Sequence, residues 1–389
     1  MASPLRMTGK AIVARDTLPN GGWKMETVTT RPIKSNELLV EMVASGICHT
    51  DVVFGSMPAN PPMAYYPRIL GHEGSGYVKA VGDKVTVAKP GDAVLLSFDH
   101  CKTCATCQND TPSLCYEFNE RNFGESPCFT SETVDGNDTQ AESEMSGRFF
   151  GQSSFAKYSV VSDHSVVNAT NIIKSKEELQ LFSPLGCGIQ TGSGTVINVA
   201  KAQPKDVIAI QGLGGVGLAA IMAAKIAGCR KIIGIDMVES RLQAAKEFGA
   251  TDVVDTSKLP AGKTIIDVMR ELGDGVGPSI TIETTGVPFL IKNAVEQTRM
   301  GGRIVQVGTA PPDFALELPV FNFMVGGKIL MGAVEGNSKP DQYIPQMIQW
   351  WREGKFPFDK LCKLMPADDF LQGLAEMKTG ETVKPILTW

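Results

Sequence analysis

Val207-Ile208-Ala209-Ile210-Gln211, then Gly212-Leu213-Gly214-Gly215-Val216-Gly217, then an alanine-rich apolar run, then Lys231-Ile232-Ile233-Gly234-Ile235-Asp236 read as strand, tight turn, helix and strand. The β-branched run before the glycines is apolar on both faces, as a strand inside a parallel sheet is. Gly212, Gly214 and Gly217 fit G-x-G-x-x-G: the first allows the turn, the second lets the backbone approach a pyrophosphate, and the third lets the helix pack on the strand. The free N–H groups at the helix start, where Gly215 and Val216 stand, answer phosphate charge. Asp236 ends the second strand about 20 residues on, where a carboxylate accepts from a ribose 2′-OH. It would repel a 2′-phosphate, and no Arg or Lys follows it at once, so NAD is expected rather than NADP. Lys225 interrupts the apolar run, which argues against a membrane span.

A chain of 389 residues has two domains as its natural prior, and 43% hydrophobic with 20% charged residues can fill both cores. The net charge of −5 argues against a general nucleic-acid binder. The start, MASPLRMTGK, has no apolar signal region, so a cytoplasmic protein is expected. Nine cysteines, an odd number with four clustered, then suggest metal before disulfides.

Residues 8–45 and 66–96 alternate apolar and polar positions with glycines between, as a compact β-barrel-like domain does. Residues 131–146 are polar and acidic and read as a flexible surface insertion. From 207 to 332 strands and helices alternate, which predicts a parallel sheet covered on both faces. Val307 and Gly308 fall at a strand end, where such a sheet binds its ligand. The tail carries two amphipathic helices and a closing apolar strand, Val383–Trp389, expected to rejoin the first domain's sheet.

Cys101-x-x-Cys104-x-x-Cys107, with Cys115 following, offers four thiolates within 15 residues. Four sulfurs close a tetrahedral zinc shell and leave no open position, so the site would be structural. The bacterial iron–sulfur pattern has another final spacing and a proline after the last cysteine, whereas Tyr116 stands here. Cys48-His49-Thr50-Asp51, Gly71-His72-Glu73 and Cys187 offer two thiolates and an imidazole from three segments. A catalytic zinc keeps three protein ligands and an open fourth position. Sequence alone does not bring the three segments together.

With these motifs in order, nearly the whole chain resembles the zinc-dependent medium-chain alcohol dehydrogenases: Cys-His-Thr-Asp, Gly-His-Glu, the four-cysteine lobe, Gly-Cys-Gly with a following Thr-Gly, Gly-Leu-Gly-Gly-Val-Gly and the closing Ile-Leu-Thr. Phe149-Phe150-Gly-Gln-Ser-Ser-Phe is most similar to the aryl (benzyl) alcohol branch. The resemblance implies a GroES-like β-barrel catalytic domain with the zinc lobe at 1–188, a Rossmann doubly wound sheet for NAD at 189–333, and a return to the catalytic domain at 334–389. It implies two zinc ions per subunit. Cys48, His72 and Cys187 would hold the catalytic one, with Glu73 near it and Asp51 orienting the imidazole. Cys101, Cys104, Cys107 and Cys115 would hold the structural one. Thr50 would bond the alcohol oxygen. His49 and Lys384 would face the pyrophosphate, Thr191, Val216 and Val307 the cofactor, and Arg241 the adenosine ribose beside Asp236. Phe98, Phe149 and Phe150 could wall a pocket for an aromatic or apolar primary alcohol, or could be plain core. Where many relatives end a proton relay in histidine this chain has Val53.

The implied activity is hydride exchange between NAD(H) and an alcohol/aldehyde pair, in a homodimer or homotetramer with no nucleic-acid or membrane partner. Two rivals stand beside it: a zinc dehydrogenase of a polyol or a formaldehyde–thiol adduct, and a nucleotide-sensing binding protein that has lost the chemistry. The second would have lost ligands that are all present here.

Overall fold

Six parallel strands frame the second half of the chain in the computed structural model, which describes residues 5–59, 64–131 and 143–389. Their order across the sheet is Asp252–Asp255, Lys231–Asp236, Val207–Gln211, Ile280–Glu283, Arg303–Gln306 and Ile329–Gly332. The chain starts in the middle, runs to one edge, then crosses back to fill the other side. The strand order thus reverses beside the carboxyl end of Val207–Gln211, the place where doubly wound sheets bind ligands. Val207, Ala209, Ile233, Ile235 and Val254 are buried with Ile265 and Met269 of a covering helix. The helix after the glycines spans Gly215–Ile226, and others span Glu239–Phe248, Ile265–Leu272 and Pro288–Gln297. Gly212 has φ +85°, and a Cβ at Gly217 would stand 1.8 Å from the Gly212 carbonyl oxygen, so the turn admits no side chain at either position.

Contacts divide the chain into two units. One comprises Gly188–Ser338 with Gln349–Lys360, and the other comprises the residues up to Cys187 with Lys339–Ile348 and Leu361–Trp389. The tail therefore does not return whole to the first unit, as the sequence suggested. Gln349–Lys360 belongs to the parallel-sheet unit, and its aromatics pack on one another. Trp350 meets Phe356 at 6.1 Å and Trp351 meets Phe358 at 6.5 Å, and both phenylalanines are fully buried.

In the first unit Thr8–Ala14, Trp23–Thr30, Pro127–Ser131, Ser143–Ser146 and Arg68–Ile69 close a small barrel. A second sheet is built on Glu37–Gly46, which pairs with Gly74–Val81, Tyr158–Ser162 and the closing strand Lys384–Thr388. That last strand also lies parallel to Cys362–Pro366. Of the expected insertion, residues 132–142 lie outside the described residues. Its flanks are not loop: Ser143–Ser146 pairs with Pro127–Ser131 in the barrel. Pairing to a neighbouring strand outweighs the polar composition there. Among the described residues no helix is long and apolar enough to cross a membrane.

Candidate active site

His49–Ser56 is a helix that the sequence did not announce. Asp51 makes it: its Oδ2 accepts from the Cys48 N–H at 3.0 Å at the N-terminus, as the acid of a capping box does. The other oxygen of Asp51 accepts from the Gly71 N–H at 3.0 Å and lies 2.9 Å from His72 Nδ1. One fully buried carboxylate thus joins the Cys48 turn to the His72 turn and fixes the imidazole tautomer, with the proton on Nδ1.

His72 Nε2 is then a buried nitrogen with no hydrogen-bond partner. Ligand atoms of Cys48, His72, Glu73 and Cys187 lie within 4.8 Å of one another, and all four residues are buried. A hydrogen bond with Cys187, and beyond it the charge of Lys384, hold the Cys48 thiol well below its ordinary range against the cost of burial. A thiol poised to ionise at Cys48, the Cys187 sulfur beside it and an orphaned imidazole nitrogen are a donor set that fits zinc. An unligated buried histidine nitrogen would otherwise be a plain cost.

Lys384 pairs with a buried acid of its own unit. Its ammonium is buried, 2.9 Å from each oxygen of Glu73, and also donates to the Ile47 carbonyl at 3.2 Å. Burial pushes the Glu73 carboxyl up to about 7 in spite of this lysine. A buried carboxylate needs a cation, and Lys384 meets that need. Lys384→Met should therefore cost about 3–5 kcal/mol in denaturant unfolding, the penalty of breaking a buried pair from one side. Most of that loss should return in the double variant with Glu73→Gln. His49 is exposed at the first position of its helix, Thr50 is half-buried beside it, and Val53 lies one turn on.

The imidazole is packed by a loop of unusual backbone. Arg148, Phe150, Gly151 and Ser153 all have positive φ. Non-glycine residues in that region carry strain that surrounding structure must hold. Phe150 stacks on the His72 ring at 4.4 Å, and Phe149 meets it edge-on at 5.4 Å. Phe54 and Phe123 extend the aromatic shell. Phe98 does not meet His72 but joins this shell through Phe118 at 5.8 Å, and lies 6.0 Å from His100. All three phenylalanines singled out from the sequence are buried, two of them against the histidine ring and the third behind Phe118.

Gln152 escaped the sequence reading. Fully buried, it donates to the His72 carbonyl at 2.8 Å and the Ser97 carbonyl at 2.9 Å, and accepts from the Gly74 N–H at 3.0 Å. It pins the backbone on both sides of Glu73. Its signal was faint: one amide between aromatics and serines.

The four remaining thiols of interest form a second group. Cys101, Cys104, Cys107 and Cys115 bring their sulfurs within 4.8 Å of one another. The sulfur separations of 3.5 Å (Cys104–Cys107) and 3.8 Å (Cys101–Cys107) are far beyond a disulfide and suit ligands around one ion. Backbone N–H groups of Thr103 and Cys104 point at the Cys101 sulfur, and that of Cys101 at the Cys115 sulfur, as around bound thiolates.

In the other unit the glycine turn is open at its centre: a Cβ on Gly214 would meet nothing within 4 Å. That space fits a pyrophosphate against the start of the Gly215–Ile226 helix. Asp236 is anchored there by N–H groups of Leu213 (2.8 Å), Met237 (2.7 Å) and Val238 (3.0 Å). The Arg241 guanidinium stands 3.9 Å from it. Val216 and Val307 are half-buried at the carboxyl end of the sheet. Thr191, nearly buried, belongs to the short helix Gly188–Gly194 just after Cys187.

Two family models match the chain: an alcohol dehydrogenase GroES-like domain over residues 34–171 and a zinc-binding dehydrogenase over residues 215–353. A geraniol dehydrogenase from Castellaniella defragrans is 34% identical over 98% of both chains. An alcohol dehydrogenase class-3 from Caenorhabditis elegans is 32% identical over 94% of this chain and 93% of that one. Among solved structures, benzyl alcohol dehydrogenase from Acinetobacter calcoaceticus superposes with TM-score 0.86 at 35% identity, covering 98% of this chain and 99% of that one. An alcohol dehydrogenase zinc-binding domain protein from Burkholderia ambifaria does so at 0.88 and 34%, over 99% of each. The GroES-like barrel, the Rossmann sheet and the two thiol-rich groups are therefore those of an enzyme: the chain belongs to the zinc-dependent medium-chain alcohol dehydrogenases.

Proposed function

We propose that this enzyme exchanges a hydride between NAD(H) and a primary alcohol/aldehyde pair whose carbon skeleton is aromatic or otherwise apolar. The unit that holds the barrel carries the chemistry, with one zinc at Cys48, His72 and Cys187 and a second, structural zinc at the four-cysteine lobe. The parallel-sheet unit binds the nucleotide. The observation that carries the reading is the orphaned His72 Nε2 facing two buried thiols and wrapped in phenylalanine. Zinc at that position supplies Lewis acidity, which lowers the pKa of an alcohol oxygen by several units. Asp51 keeps Nε2 free to face the metal, and Gln152 holds the His72 backbone. Thr50, half-buried and two residues from Cys48, accepts the alcohol proton. Val53 cannot relay it further, so the proton leaves through cofactor hydroxyls or water. Phe149 and Phe150 make the surroundings apolar, which suits benzyl alcohol and geraniol, the alcohols in the relatives' names.

Formation of reduced nicotinamide with benzyl alcohol, geraniol, ethanol and sorbitol, each with NAD, tests the proposal. Faster turnover of the first two supports it. Preference for sorbitol would overturn the substrate class.

Asp236 points to NAD as the cofactor. Asp236→Ala should raise kcat/KM with NADP relative to NAD by about tenfold or more, because removing one charge repulsion of about 1.4 kcal/mol is a tenfold change. An unchanged ratio would remove Asp236 as the ribose partner.

The subunit contact is assigned to the sheet edge. Ile329–Gly332 is an edge strand, and Val320, Phe321, Met324 and Ile329 beside it are each at least 50% exposed. Unpaired backbone groups and an apolar surface together suit pairing with a second copy. Phe321→Lys with Ile329→Lys should shift the sedimentation coefficient toward the monomer.

A further inference from the structure

The turn that carries Phe149 and Phe150 is held from outside itself. Arg148 (φ +60°), Phe150 (φ +54°) and Ser153 (φ +50°) stand in left-handed backbone without being glycine. Such backbone persists only where the surroundings hold it. Two serines brace the main chain. Ser153 Oγ accepts from the Phe149 N–H at 3.0 Å and donates to the Ile69 carbonyl at 2.6 Å, and Ser165 Oγ donates to the Phe150 carbonyl at 3.2 Å. The start of the turn is held by charge instead. One nitrogen of the Arg148 guanidinium lies 3.4 Å from Glu37 Oε1, and another lies 3.2 Å from Asp99 Oδ2. Both acids are buried; Glu37 opens the central strand Glu37–Gly46, and Asp99 follows the strand Ala93–Leu96.

Neither acid depends on Arg148 alone. Glu37 pairs with Arg31 through two bonds, at 2.7 and 2.8 Å, and accepts from the Lys34 N–H at 2.8 Å. Asp99 has Arg121 at 3.7 Å. What Arg148 adds is a bridge that ties the turn to two separate segments of the sheet. The other side of the turn rests on the same acid, since a Cβ on Gly151 would stand 2.9 Å from that of Asp99.

We propose that Arg148 is a positioning residue for substrate shape: its clamp on Glu37 and Asp99 fixes where Phe149 and Phe150 stand, and so sets how strongly the site prefers a flat aromatic alcohol to a small one. Phe150 stacks on His72 with the planes 22° apart, and Phe149 meets Phe150 at 80°. Two rings nearly at right angles make a corner, and a corner selects a flat ligand only while its angle is kept. A loosened turn lets the corner open, which takes ring contacts from an aromatic alcohol and little from a two-carbon one. This inference rests on the reading that these rings wall the alcohol pocket.

The test is the ratio of kcat/KM for benzyl alcohol to that for ethanol, with saturating NAD and the zinc-loaded enzyme. Arg148→Met removes the clamp while Glu37 keeps Arg31 and Asp99 keeps Arg121, and the ratio is expected to fall about tenfold, chiefly through KM for benzyl alcohol. Arg148→Lys keeps a cation but not the fork, so its ratio should lie between Arg148→Met and wild type, and it carries the test if the first variant does not fold. Arg31→Met unpairs the same Glu37 from outside the turn and should leave the ratio within about twofold of wild type, whatever it does to stability. An unchanged ratio in Arg148→Met, or in Arg148→Lys where that variant stands alone, would overturn the proposal. So would an equal fall in Arg31→Met, which would make general loosening the cause. Phe150→Ala keeps the clamp and removes the wall: if it left the ratio unmoved, the pocket reading itself would fall, and the inference with it.

Discussion

His72→Ala is expected to cut kcat/KM by about three orders of magnitude or more, since a Lewis-acid zinc contributes several kcal/mol and each 1.36 kcal/mol is tenfold. Zinc content should fall by one ion per chain. NAD binding, measured separately, should persist, because the glycine turn and Asp236 belong to the other unit. Asp51→Asn is the finer companion. Its carboxylate oxygens join Cys48, Gly71 and His72, and loss of such a partner to a ligand should cost about 10–100-fold in metal affinity or activity. Wild-type turnover in His72→Ala would refute the site assignment. Loss of NAD binding in step with turnover would mean that the change had spread through the fold rather than removed a metal ligand.

The second large effect falls on the four-cysteine lobe. Between Cys101 and Glu120 the buried residues are only Cys101, Pro112, Ser113 and Cys115, while Leu114 is 42% and Tyr116 74% exposed. Twenty residues with so little apolar burial cannot offset their ordering entropy by packing. A tetrahedral metal can, since structural zinc binding is itself folding free energy. Cys107→Ala should therefore remove one zinc and lower the first thermal transition by on the order of 10 °C, a loss of several kcal/mol in a chain of this size. The damage should also reach the aromatic shell, because Phe118 contacts Phe150 and Asn122 bonds both the N–H and the carbonyl of Asp99. Full zinc content with an unmoved transition would remove the lobe as a metal site.

What could be read from the letters followed from how local each pattern is. The parallel sheet announced itself because its strands are continuous apolar runs and its turn needs three glycines at fixed spacing. The cysteine lobe did so because its four donors sit within one short loop. The other donor group did not: Cys48, His72 and Cys187 come from three distant segments, and only resemblance joined them before the fold did. The supporting pairs were not legible at all. Gln152 reaches the His72 carbonyl across 80 positions, Gln190 reaches Glu335 across 145, and Lys384 reaches Glu73 across 311. Each is a single polar letter with no period, and its partner is chosen by the tertiary fold. The ion pair of Lys384 was hidden for the same reason: the sequence shows a cation near a strand but not the buried acid opposite it.

The order in which the chain is made matters for this architecture. The parallel-sheet unit has all its parts once Lys360 has been synthesised, and domains fold as units as they emerge. The catalytic unit begins with the earliest residues yet stays open much longer. Its central strand Glu37–Gly46 waits for Lys384–Thr388 to cover one side, and Glu73 waits for the ammonium of Lys384. On the ribosome, then, the middle of the chain matures before its beginning. Only in the stretch after Lys360 does a completed parallel-sheet unit stand tethered to a barrel with a bare sheet edge, and the last step of assembly delivers both the missing strand and the missing charge.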